Sequence, residues 1–129
     1  MIILGNENIP YQSIANISNI ADIKNTKPNQ TLMFAYDIDI IKYCFKNELS
    51  CLVLVSNIKE AIFCNSLNVT YIVTKNDISK QLQDIAENYM FDSKILEVIN
   101  NDDDINSVAP KGIDGVIYDK LIKGMLWEQ

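Results

Sequence analysis

TLMFAYDIDIIKYCFKNELSCLVLV, residues 31–55, is the stretch that decides the fold. It opens on the apolar run Thr31–Tyr36 and passes through Asp37 and Asp39. Ile40, Ile41, Cys44 and Phe45 then recur at helical spacing, and a second apolar run begins at Cys51 and ends at Val55. A run with no polar alternation suits a strand buried on both faces, whereas a stripe of period 3.6 suits a helix packed on a sheet. Strand, cap, helix and strand in that order make a βαβ unit. Working outward, Thr70–Thr74 (TYIVT), Ile95–Ile99 (ILEVI) and Gly115–Tyr118 (GVIY) repeat the apolar run at intervals of about twenty residues. The chain therefore reads as a single α/β domain over residues 1–129, in three layers. Its sheet is mainly parallel, with five or six strands and a Rossmann- or flavodoxin-like build.

The intervals between runs carry helix signals. Asp37 or Asp39 can cap the first of the helices just described, and Ser56 or Asn57, with Glu60 placed as in a capping box, can cap the next. Asp77 is the expected cap of the longest helix, with Ile78, Leu82, Ile85, Ala86, Tyr89 and Met90 on its apolar face. Asn100–Asp104 leads into a short helix that Pro110 ends. Toward the amino terminus, Met1–Leu4 is a short apolar run closed by Gly5. Tyr11–Ile17 is a weaker strand candidate, followed by a short helix capped by Ser18 or Asn19. Near the chain end, Leu121, Ile122, Met125 and Leu126, with Trp127 beside them, make an apolar stripe expected to cover the sheet.

Composition removes several chemistries. The sequence has no histidine and no arginine, and all eleven cationic residues are lysines. That excludes a histidine-based triad, an imidazole metal ligand and a guanidinium clamp on phosphate. Net charge is −6 and the lysines are scattered, so the phosphate-neutralising face that a nucleic-acid partner requires is missing. No apolar run approaches the roughly 20 residues of a membrane span. With no signal-peptide pattern at residues 1–10, the expected location is cytoplasmic. Cys44, Cys51 and Cys64 form no CxxC pair and read as buried free thiols.

In an open parallel sheet, ligands bind beyond the carboxyl ends of the strands. The polar residues at that rim are Asp37, Asp39, Ser56, Asn57, Lys75, Asn76, Asp77, Asn100 to Asp104, Asp119 and Lys120, which makes it acidic. The order Asp-x-Asp at 37 and 39, Ser56, Lys75, then Asp102 and Asp103 resembles the haloacid-dehalogenase-type phosphohydrolases. That resemblance implies a nucleophile at Asp37, a general acid/base at Asp39 and phosphate holders at Ser56 and Lys75. It also implies a Mg²⁺ site using Asp37, Asp102 and Asp103, a chemistry that needs neither histidine nor arginine. Residues 56–73 (SNIKEAIFCNSLNVTYIV) and 111–118 (KGIDGVIY) resemble βα units of phosphate-binding TIM-barrel enzymes, although the chain is too short for eight such units. Helix capping asks for acids, Ser and Asn at these same positions. The expectation carried forward is a non-catalytic module, without cofactor, that binds a protein or a small ligand, with a homodimer as a possible assembly. The alternative is the Mg²⁺-dependent phosphohydrolase or phosphotransfer domain built on Asp37.

Overall fold

The computed structural model describes residues 1–123, so Met125, Leu126 and Trp127 lie outside the described residues. The α/β class and the parallel sheet are as expected, but the sheet has seven strands rather than five or six. These are β1 (Ile2–Leu4), β2 (Ile14–Asn16), β3 (Thr31–Ala35), β4 (Cys51–Leu54), β5 (Tyr71–Thr74), β6 (Lys94–Ile99) and β7 (Gly115–Tyr118). The helices are α1 (Ile38–Lys46), α2 (Ile58–Ser66), α3 (Ser79–Asn88) and the single turn α4 (Ile105–Val108), with short 3₁₀ turns at 20–25, 102–104, 109–111 and 119–121. The additional strand is β1. No helix follows it, so the strand–helix rhythm gives no sign of it.

All pairs are parallel, in the order β1-β7-β6-β5-β4-β3-β2. From β2 to β7 the sheet grows one strand at a time in one direction, with no reversal between. Right-handed crossovers that all step the same way put their helices on one face. The apolar clusters agree. The outer cluster joins Leu32, Phe34, Val53, Ile72, Ile95 and Val116 to helix residues Ile40, Ile41, Cys44, Ala61, Cys64, Leu82 and Ala86. The inner cluster holds the alternate strand residues Leu4, Met33, Leu52, Leu54, Val73, Leu96 and Ile117, and no residue of α1–α4. Leu121 and Ile122 pack against it.

Chain length shows why the sheet curls. At strand spacing, seven flat strands put β1 and β2 about 29 Å apart. Residues 5–13 must cross that distance and also run back to the amino end of β2. Fully extended they reach at most about 33–36 Å, yet they bend at once, with Ile9 N donating to Asn6 O at 3.3 Å. Only a curled sheet brings the two edges within reach. Its inner face is then filled by its own side chains, as in a small barrel.

Two expectations about α3 need correction. Asp77 does not cap α3: the helix begins at Ser79 behind Ile78 and has no side-chain cap. Tyr89 and Met90 leave the apolar face and are 72% and 84% exposed, because α3 stops at Asn88 and Met90 turns left-handed at φ 51°. No helix among the described residues is long and apolar enough to cross a membrane.

Candidate functional site

The carboxyl rim is built mainly from helix caps. The Asp37 carboxylate accepts from Asp39 N at 3.0 Å and Ile40 N at 3.3 Å, and so opens α1. After β2, β4 and β6 one device recurs. An Asn side chain accepts from the amide of an acid three residues on, and that acid reaches back to the amide just before the Asn. The first pair is Asn19 with Asp22, which holds Ser18 N; the second is Asn57 with Glu60, which holds Ser56 N at 2.8 Å. The third is Asn101 with Asp104, which holds Asn100 N at 2.9 Å and Asn101 N at 3.2 Å. The first two boxes each satisfy two backbone amides at or just before the helix start, and the third satisfies three. Much of the rim's acidity is therefore structural.

The residues singled out by order are placed in a row. Asp37, Ser56 and Lys75 follow β3, β4 and β5, and Asp102 and Asp103 follow β6, which are four neighbouring strands. Asp37 and Asp102 stand three strand spacings apart, about 14 Å along a flat sheet. Asp39 is exposed in the first turn of α1. Among the described residues no three Cys, Asp or Glu side chains are grouped so as to hold a metal ion. Asp102 instead joins a different cluster. Its Oδ1 accepts from Asn6 Nδ2 at 3.1 Å and from the Tyr118 hydroxyl, and Asn6 Nδ2 also donates to that hydroxyl at 3.0 Å. Loops after β1 and β6 are thus tied across the end of β7. The bond to Asp102 holds the Tyr118 phenol above its ordinary value, and Lys120 lies over the ring at 5.8 Å.

A second polar cluster lies between the sheet and α3. Glu97, in the middle of β6 and 4% exposed, accepts from Ser79 Oγ at 2.5 Å and Lys111 Nζ at 2.6 Å. Lys111 also reaches Ser79 Oγ at 3.2 Å. The signal in the sequence is the single charge inside ILEVI, since a buried strand tolerates a carboxylate only when it is paired. The three thiols are buried as expected. The side-chain hydrogen bond between Cys44 and Cys51 raises the Cys51 pKa, which burial raises further, and lowers that of Cys44. Burial pushes Cys64 up to about 12. Cys51 and Cys64 thus stay protonated at neutral pH and offer no thiolate.

The carboxyl ends of β4 and β5 frame a groove of about 440 Å³ between the amino ends of α2 and α3, lined by Ser56, Asn57, Ile58, Lys59, Ile78 and Gln81. Ser56 is the one residue of the phosphohydrolase order that lines it. Ile78 and Gln81 flank the start of α3; Ile78 is expected only on that helix's apolar face, and the sequence pattern does not single out Gln81. Comparison with protein-family models and with curated proteins finds no match.

Proposed function

We propose that the protein is a non-catalytic small-ligand-binding module whose ligand occupies the groove at the carboxyl ends of β4 and β5. The observation that carries this reading is the groove's place and lining together. It lies at the rim where parallel sheets take ligands, with Ile58 and Ile78 as apolar contacts and Ser56, Asn57, Lys59 and Gln81 as polar ones. The Mg²⁺-dependent reading draws less support, because Asp37 is engaged in capping and Asp102 is held by Asn6 and Tyr118.

The test is a chemical-shift screen of the labelled protein against divalent metals, nucleotides, phosphorylated metabolites, and small acids and amides. A hit should move the resonances of Asn57, Ile58, Ile78 and Gln81. Asp37→Ala should cost about 1 kcal/mol of stability as a lost cap and leave that binding unchanged. Phosphate release that needs Mg²⁺ and disappears in Asp37→Ala would overturn the module reading.

Self-association is a second reading with its own observation. Ile62 and Tyr89, 39% and 72% exposed, line a groove of about 410 Å³ at the other end of α2 and α3, and their chain neighbours Phe63 and Met90 are 45% and 84% exposed. Sedimentation of the wild type and of Tyr89→Asp tests it. A dimer that the substitution dissociates supports the reading; a monomeric wild type ends it.

A further inference from the structure

The charge at the rim is unevenly placed. Asp37 and Asp39 follow β3, Asp102, Asp103 and Asp104 follow β6, and Asp119 follows β7. At the groove the balance differs. Among the described residues the one charged group lining it is Lys59. Glu60, next to it in sequence, is outside the lining, with its Oε1 accepting from Ser56 N at 2.8 Å. Asp77 lies outside the lining, in the exposed turn before Ile78. Lys59 sits in the first turn of α2, where the positive end of the helix makes a cation unfavourable. An anion beside it would relieve that cost.

The lining also limits what the anion can be. Ile58 and Ile78 are both partly buried, and they give the groove an apolar part that an inorganic ion would leave empty. A phosphate, with two charges and three strong acceptor oxygens, is held by several backbone amides or several cations. Here the amides of Ser56 and Glu60 are already taken by the Asn57–Glu60 box. One lysine with amide side chains from Asn57 and Gln81 matches one negative charge and two acceptor oxygens.

We infer that the groove takes a small organic carboxylate with a short branched or ring-shaped apolar body. The body contacts Ile58 and Ile78, and the carboxylate lies among Lys59, Asn57 and Gln81. This rests on the groove being the ligand site proposed above.

The experiment is titration of the labelled full chain with isovalerate and benzoate, with their neutral amides isovaleramide and benzamide, and with acetate and phenyl phosphate. Either acid should shift Asn57, Lys59 and Gln81 saturably and bind at least about tenfold more tightly than its amide, which is about 1.4 kcal/mol. Acetate should bind more weakly than both acids, having no apolar body. Lys59→Gln should erase the preference for acid over amide, and Lys94→Gln, at the opposite end of the sheet, should retain it. Equal binding of acid and amide, a preference that survives Lys59→Gln, or tighter binding of phenyl phosphate than of benzoate each overturns the carboxylate assignment while leaving the groove a ligand site. Silence from every acid and amide overturns the assignment, and silence across the wider screen as well overturns the site itself.

Discussion

The two faces of the sheet are equally dry and are covered in different ways. The outer face is covered by separate elements, α1, α2, α3 and residues 105–111, each joined by its own loop. Polar groups pin those elements, as Glu97 does for Ser79 and Lys111. Among the described residues no α-helix lies on the inner face. Curvature brings its strands together, and Leu121 and Ile122 close it at the end of the described chain. A face covered by many elements can lose one contact and keep the rest. A face covered by curvature depends on every strand keeping its place.

The largest effect should come from removing residues 121–129. The inner face then loses Leu121 and Ile122, and a small domain with about 5–15 kcal/mol of stability has little reserve for this. The truncated chain should show no cooperative melting transition by circular dichroism. A truncated chain that melts like the wild type would show that curvature alone suffices.

On the outer face, Lys111→Met leaves Glu97 buried with only Ser79 as a partner. The expected loss is about 3 kcal/mol, at the lower end for broken buried pairs because Lys111 retains some solvent access. Adding Glu97→Leu should restore most of it, since an apolar replacement of both partners removes the stranded charge. Denaturant midpoints of the two variants decide this. If the double variant is no more stable than Lys111→Met, the pair contributes more than charge compensation.

Gly115→Ala tests how closely the inner strands are placed. A Cβ there would lie 2.6 Å from the Cβ of Ile2 and 2.8 Å from Leu96 Cδ2, so β1 must shift. The expected cost is about 1–3 kcal/mol, with exchange protection falling first in β1. Unchanged protection there would mean that the edge strand adapts without loss.

The smallest effect is at the rim. The raised Tyr118 pKa means that folding favours the neutral phenol. Its contribution is fully present below the ordinary tyrosine value of 10.0 and is lost as pH rises from there through the raised folded value. Tyr118→Phe should therefore be slightly less stable than the wild type at neutral pH, and the gap should close in alkali. A gap that persists above the raised folded value would assign the loss to packing.

What could be read from the sequence follows from how local each signal is. Thr31–Ala35, Cys51–Leu54, Tyr71–Thr74, Lys94–Ile99 and Gly115–Tyr118 are strands within a residue or so of the apolar runs, because burial on both faces leaves no polar alternation to misread. Asp37 and Asn57 cap as expected, since capping involves only the next three residues. Strand order is not local: nothing near Ile2 announces that it meets Gly115. The same limit hid the Asn6–Asp102–Tyr118 cluster, whose members come from the loops after β1 and β6 and from the end of β7. Tyr89 and Met90 misled because helical spacing continues in the sequence past the residue where the helix ends.

The pairing of β1 with β7 also has a temporal side. As the chain is synthesised, β2 through β7 emerge in the order in which they neighbour one another, so each can dock on the strand before it. Ile2–Leu4 emerges before all of these strands, yet its partner Gly115–Ile117 emerges after the other six. The growing chain must carry β1 as an unpaired apolar strand until β7 has been made. The first strand made is the last one placed, and closing that long loop is the step most exposed to misassembly.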